Sequence, residues 1–225
     1  MIIITGITGG IGNFLFHQFS KSGEEIIGTY HLNKPEGDVF KNSIQLDITD
    51  FNQVEKFISS INAKNITLIN CAGVSANAFA HKSSMAEWNN VINVNLIGTF
   101  QLIRATLPLM REQNFGRIIN LSSIVSQTGV MGTSAYAASK AGINGMIKSI
   151  ALENAQKGIT INNINLGYFK VGMINTVPLE IQEKIKSKIA SNEFGDPENI
   201  FSTIQYIRNT PYLNGACLDL NGGLV

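Results

Sequence analysis

The chain has 225 residues, of which 44% are hydrophobic and 15% charged, and its 17 basic and 16 acidic side chains leave a formal net charge of +1. That length supports a core without disulfide or metal staples. The composition excludes disorder, and the charge balance excludes a global field that would draw in nucleic acid or an anionic membrane. Cys71 and Cys217 cannot form a disulfide framework, no apolar run reaches the roughly 18 residues of a membrane span, and Met1 leads straight into Ile2-Ile3-Ile4-Thr5 without a basic leader, so a cytoplasmic protein is expected.

Short apolar, β-branched runs at 2–4, 25–29, 43–46, 66–69, 117–121, 159–164 and 216–220 are predicted strands. Helical periodicity falls between them, near 11–22, 51–61, 86–113, 135–156, 179–191 and 197–208. Near-continuous apolar strands suit a parallel sheet covered on both faces. The alternation predicts a single-domain α/β Rossmann fold over residues 1–225: a seven-stranded, doubly wound parallel sheet with helices on both faces. The stretch between Tyr30 and Ser43 carries Pro35 and Gly37 and barely has room for a crossover helix. Residues 167–195 follow a strand end with a mixed pattern, where a substrate lid would sit.

Thr5-Gly6-Ile7-Thr8-Gly9-Gly10-Ile11-Gly12 lies between the first strand and the first helix. Glycines permit positive φ and let backbone N–H groups approach a pyrophosphate at the helix N-terminus; an ordinary tight turn uses them too. Dinucleotide folds usually end the second strand with an acid that binds the adenosine ribose. Here that position is Tyr30, followed by His31, Asn33 and Lys34, with no carboxylate before Glu36. The missing acid leaves room for a 2′-phosphate and favours NADP(H), with NAD(H) kept open; Lys34 also reads as a solvated loop lysine.

Tyr136-Ala137-Ala138-Ser139-Lys140 starts a strongly helical stretch, so Tyr136 and Lys140 share a face one turn apart. An ammonium there is expected to lower the phenol pKa and make Tyr136 a better proton donor. Ser123 stands thirteen residues upstream at a strand end, next to Ser122. His17, His31 and His81 are scattered and suggest no metal site.

These motifs resemble the short-chain dehydrogenase/reductase family. The likeness runs through TGITGGIG at 5–12, Asp47, Asn70-Cys71-Ala72-Gly73, Asn93-Val94-Asn95-Leu96, Ser123, Tyr136 with Lys140, and Asp219-Leu220-Asn221-Gly222-Gly223. From Val91 to Thr160 the chain is most similar to the 3-oxoacyl-carrier-protein reductases. The resemblance implies that Tyr136 protonates a substrate carbonyl oxygen as hydride reaches its carbon, that Ser123 hydrogen-bonds that oxygen, and that Lys140 tunes Tyr136 and binds the nicotinamide ribose. It implies that Asn95 holds a water linked to Lys140. It places Gly6, Thr8, Gly9, Gly10, Ile11, Gly12, Tyr30, His31, Asp47, Ile48, Asn70, Ala72, Gly73 and Gly167 on the cofactor, and it implies a homotetramer or dimer. Asn95 can instead interrupt or cap a helix, Asp47 can cap the next helix with Asp50, and Tyr168 reads as lid packing.

The chain also departs from the family's pattern. Gly9 stands where NADPH-preferring members often carry a basic residue, Leu166-Gly167 replaces Pro-Gly, and Val171 replaces a threonine that binds the carboxamide. The two basic positions that dock an acyl carrier protein fall on Asn114 and Lys157, with Arg111 and Arg117 nearby. A carrier-bound 3-oxoacyl thioester is therefore weighed against a sugar, polyol or other small ketone, and against a dinucleotide-binding regulator without turnover.

Overall fold

The computed structural model describes residues 1–224; residue 225, the last of the expected domain, lies outside the described residues. Seven strands pair among the described residues: β1 (Ile2–Thr5), β2 (Ile26–Tyr30), β3 (Ser43–Gln45), β4 (Thr67–Asn70), β5 (Gly116–Ser123), β6 (Ile159–Leu166) and β7 (Cys217–Leu220). Every pairing is parallel, in the order β3-β2-β1-β4-β5-β6-β7. The expected doubly wound fold is present.

Strand alternation divides the apolar residues between two layers. Ile2 and Ile4 pack with Leu15, Phe16 and Phe19 of α1 (Gly10–Lys21) and Ile200, Ile204 and Ile207 of α8 (Pro197–Asn209). On the other face, Ile3 packs with Val54 of α2 (Phe51–Ser59), Leu102 of α4 (Thr99–Gln113) and Ile147 of α6 (Ser134–Asn154). Each fully buried isoleucine contributes about 1.5–3 kcal/mol. The chain leaves β1 toward β2 on one side and returns to β4 on the other. This reversal opens a crevice at the carboxyl ends of those strands, where ligands of such sheets bind.

Two connections differ in kind from a regular helix. Between β2 and β3 there is only a 3-10 turn, Asp38–Asn42, as Pro35 and Gly37 foretell. The single helix expected over 86–113 is instead α3 (Met85–Ile92), a six-residue π-turn (Asn93–Gly98) and α4. Such turns occur mostly at functional sites, and this one carries Asn95.

The stretch after β6 also has its own arrangement. It contains a 3-10 turn, Gly172–Thr176, and α7 (Leu179–Lys186), which stops short of the expected helix end. Ile174, Ile189 and Phe194 form a small separate core with Tyr168 and Val177. Phe169 and Gly195 close the segment through a β-bridge.

Candidate active site

Geometry makes the glycines of the first turn hard to replace. Gly6 sits at φ +70°, and a Cβ there would stand 2.7 Å from the Ala72 Cα. A Cβ on Gly12 would collide with the Gly6 carbonyl oxygen. The Thr5 hydroxyl accepts from the N–H groups of Cys71 and Ala72, both at 3.1 Å, and so ties this turn to the end of β4. Gly9 caps α1 without a side chain and the first turn holds no acid, so the amide donors there are open to a phosphate. Gly12→Ala is expected to weaken nicotinamide dinucleotide binding by roughly 5- to 100-fold, on the order of the 1–3 kcal/mol that overpacking costs; fluorescence titration measures it, and unchanged affinity would refute the close-packed turn.

The crevice beside this turn is a cleft of about 400 Å³. Gly6, Thr8, Gly9, Tyr30, His31, Asp47, Ile48, Ala72 and Gly73 all line it. Asn33 and Lys34 do not. Asp47 Oδ1 accepts from the Thr49 backbone N–H and hydroxyl, while Oδ2 lies 3.7 Å from His31 Nε2. The helix cap falls to Asp50, whose side chain accepts from the backbone N–H groups of Asn52 and Gln53; the Gln53 side-chain amide, which also donates to it, and then those N–H groups hold its pKa below the ordinary value. Asp47 is thus left facing the cleft.

Asn70, expected on the adenosine side, is placed elsewhere. It is buried, and its amide turns into the sheet to donate to Asn120 at 2.8 Å. The cause is register: Asn70 and Asn120 are direct neighbours on β4 and β5.

Gly9, Gly10, Ile11 and Gly12 also line a smaller cavity of about 140 Å³ that reaches Tyr136 and Lys140. Lys140 is buried, donates from Nζ to the Leu121 carbonyl at 2.8 Å and lies 5.6 Å from the centre of the Tyr136 ring. Burial pulls its pKa down to about 8. Burial likewise pushes the Tyr136 phenol up to about 12, against a hydrogen bond with Ser123 that favours the phenolate. The expectation that the ammonium dominates the phenol's acidity is therefore corrected: in the protein alone, desolvation governs both groups.

The two neighbouring serines divide cleanly. Ser122 donates to the Lys140 backbone carbonyl at 3.3 Å, whereas Ser123 is the one that hydrogen-bonds Tyr136, and its Oγ accepts from the Val125 N–H at 3.2 Å. Asn95 is fully buried in the π-turn. Its Oδ1 accepts from the Val74 N–H at 2.8 Å and its Nδ2 donates to the Val74 carbonyl at 2.9 Å and to Ser139 Oγ at 3.1 Å. The amide acts as a two-point clamp on the loop after Gly73. A Cβ on Gly73 would lie 3.3 Å from Asn95 Oδ1 and 3.8 Å from Lys140 Nζ, so that glycine keeps both groups within reach of one space.

Above Ser123 and Tyr136 lies a pocket of about 190 Å³, lined by Ile11, Ile124, Leu166, Gly167, Val171 and Ile174 among others. Tyr168 lines it too, and its hydroxyl is close enough to Tyr136 to disfavour the phenolate there. The sequence alone suggests packing for Tyr168; the fold shows two phenols lining one pocket. Gly10 meets the segment after β6 directly, since a Cβ on it would stand 2.5 Å from the Gly172 Cα.

Two of the cations considered for carrier docking are spent within the protein. Arg117 is buried and donates to the carbonyls of Arg208, Gly116 and Gly158. Arg111 donates to Asn154 Oδ1 at 2.8 Å and to the Glu153 carbonyl. Asn114 ends α4 in the left-handed conformation. Among the described residues, no group of three or more His, Cys, Asp or Glu could hold a metal.

Fold and cleft together define a dinucleotide-dependent oxidoreductase of the doubly wound α/β class. Residues 1–181 match the family model described as short chain dehydrogenase. The chain is 32% identical to the acetoacetyl-CoA reductase of Shinella zoogloeoides, covering 98% of this chain and 96% of that one. It is 32% identical to the 3-oxoacyl-[acyl-carrier-protein] reductase of Rickettsia bellii, covering 99% and 95%. The ligand-free aldohexose dehydrogenase of Thermoplasma acidophilum superposes with a TM-score of 0.89 at 26% identity, covering 99% of this chain and 92% of that one. The chain belongs to the short-chain dehydrogenase family.

Proposed function

We propose that this protein is an NADPH-dependent reductase that converts a 3-oxoacyl thioester to the 3-hydroxyacyl thioester, within one domain spanning 1–225 and under the lid at 167–195. The observation that carries it is the meeting of the Ser123 hydroxyl and the Tyr136 phenol at the floor of an apolar pocket. NADPH, when bound along the cleft, supplies the hydride for the carbonyl carbon.

Ser123 donates a hydrogen bond to the substrate oxygen and stabilises the charge that gathers there. Tyr136, kept protonated by burial, gives that oxygen its proton. Lys140, with its pKa near 8, is poised to hold or release a proton close to neutral pH, beside Asn95 and Gly73. The uncapped N-terminus of α1 suits a pyrophosphate, and the cleft between Tyr30, His31 and Asp47 suits the adenosine end, with no carboxylate on Tyr30 to repel a 2′-phosphate.

Acyl chemistry is favoured because the pocket walls are mainly aliphatic, and a polyol there would leave hydroxyls without partners at a cost of about 1–3 kcal/mol each. The similar reductases named for 3-oxoacyl thioesters support it. With Arg111 and Arg117 engaged internally, a small-thiol thioester suits the surface better than a carrier-bound one. A second possibility, sugar oxidation, is favoured by the likeness to the aldohexose dehydrogenase. No described helix is long and apolar enough to cross a membrane, which is compatible with a cytoplasmic enzyme. Exposed Ile97 just before α4, Phe100 in its first turn and Leu152 on α6 suit packing in a tetramer or dimer.

The test is oxidation of NADPH and of NADH, followed with acetoacetyl-CoA and with the acetoacetyl carrier protein, alongside aldohexose oxidation. Faster turnover of the CoA thioester with NADPH is expected. Sugar turnover without thioester turnover would replace the proposal by its rival.

A further inference from the structure

Four asparagines form a continuous line of side-chain amides beneath the site. Asn70, Asn120 and Asn163 are register neighbours on β4, β5 and β6, and all three are buried. Asn70 Nδ2 donates to Asn120 Oδ1, Asn120 Nδ2 to Asn163 Oδ1, and Asn163 Nδ2 to Asn144 Oδ1 on α6, each at 2.8 Å. Asn144 Nδ2 then donates to Ser126 Oγ at 2.9 Å, and Ser126 donates to the Ser123 carbonyl at 2.7 Å. Ser126 lies in the short helix α5 (Val125–Thr128), directly after the end of β5.

The direction of this line is fixed. A hydroxyl has one hydrogen; Ser126 spends it on Ser123, so Ser126 can only accept from Asn144. Asn144 must then present Nδ2 to Ser126 and Oδ1 to Asn163, and the same constraint passes to Asn120. Turning Asn120, Asn163 or Asn144 over would oppose donor to donor and acceptor to acceptor, breaking two bonds of the line. The consequence reaches the Ser123 hydroxyl through α5. The Val125 N–H of that short turn donates to Ser123 Oγ, which leaves the serine's own hydrogen for the oxygen it faces.

We propose that Asn144, braced by Asn163 and Asn120, is a positioning residue: it locks α5 through Ser126 so that Val125 holds the Ser123 hydroxyl toward Tyr136 and the substrate oxygen. The role in turnover rests on the reductase chemistry proposed above; the hold on Val125 does not.

The test compares Asn144→Leu, Ser126→Ala and the double variant. Each single change is expected to lower kcat for acetoacetyl-CoA about tenfold, within the range of small misplacements of a reacting group, with the KM for NADPH unchanged. The double variant should be no slower than the slower single, because both cut one link. Independently of substrate, hydrogen exchange at the Val125 amide should rise at least tenfold in each variant, a local opening beyond any change in global stability. Variants that melt earlier yet keep both kcat and Val125 protection would reduce the line to a structural strut and overturn the proposal. If the unaltered protein does not turn over the thioester, the reductase reading fails by itself, and Val125 exchange still decides whether Asn144 locks α5.

Discussion

Tyr136→Phe is expected to lower kcat for thioester reduction by about 10³-fold, within the range of a lost general acid, with NADPH affinity kept within about twofold. Phenylalanine keeps the ring stacked beside Lys140 and removes only the atom that carries the proton. In the proposed reduction Ser123 still polarises the carbonyl, so the loss should appear in kcat rather than in KM. Burial that holds the phenol near 12 means the acid stays loaded through the whole neutral range. The reverse oxidation needs the phenolate, and its rate should climb as pH rises from neutral to alkaline. A Phe variant that retains more than a tenth of the activity would remove Tyr136 from the chemistry.

Lys140→Met is expected to abolish turnover and at the same time to raise the melting temperature of the cofactor-free protein at pH 7. Lys140 falls from an ordinary 10.5 to about 8 because its charge is buried. A shift of that size corresponds to about 3 kcal/mol of destabilisation while the amine is charged in both states. Losing the bond to the Leu121 carbonyl returns part of it, about 1–2 kcal/mol. The remainder should lift Tm by a few degrees, roughly 2–4 °C per kcal/mol at this size.

The penalty shrinks with pH in a defined window. Below about 8 the folded and unfolded chains both hold the proton, so the penalty is at full strength. Between about 8 and 10.5 the unfolded chain binds the proton more tightly, and the unaltered protein gains stability as pH rises. The advantage of the Met variant should therefore be largest at pH 7 and shrink toward pH 10. Thermal melts at the two pH values check this, and a Met variant that melts lower at both would show that packing around the amine outweighs its desolvation.

Much of the architecture can be read directly from residue type. β-Branched runs such as Ile2-Ile3-Ile4 have no other stable home than a strand covered on both sides, and glycines at 6, 9, 10 and 12 mark a turn that approaches other backbone closely. Ser123, Tyr136 and Lys140 are legible because strand end and helix start fix their spacing. The π-turn at Asn93–Gly98 is not legible, since its residues read as ordinary helix and the extra residue per turn arises from packing. Arg117 illustrates a second limit. A lysine or arginine reads as surface charge until three carbonyls, from Gly116, Gly158 and Arg208, are seen to surround it. Asn163 falls within the strand predicted at 159–164 and Asn70 just beyond the one at 66–69; only the strand register reveals that both flank Asn120.

The all-parallel sheet has a further consequence, for how the protein acquires its activity. Each parallel pair must wait for an intervening crossover, and Ile2 pairs with Thr67 across most of the first third of the chain. Such pairings close long loops before contacts reward them, which makes folding slow relative to helical proteins. The turn after β1, the carbonyls of β5, the lysine of α6 and the segment after β6 meet only when those closures are complete. A fragment ending before β6 contains the cleft lining from Gly6 to Val94 but lacks the residues after β6 that complete the pocket over Ser123 and Tyr136. Catalytic competence in this chain is thus a late property of folding, gained with the global structure rather than ahead of it.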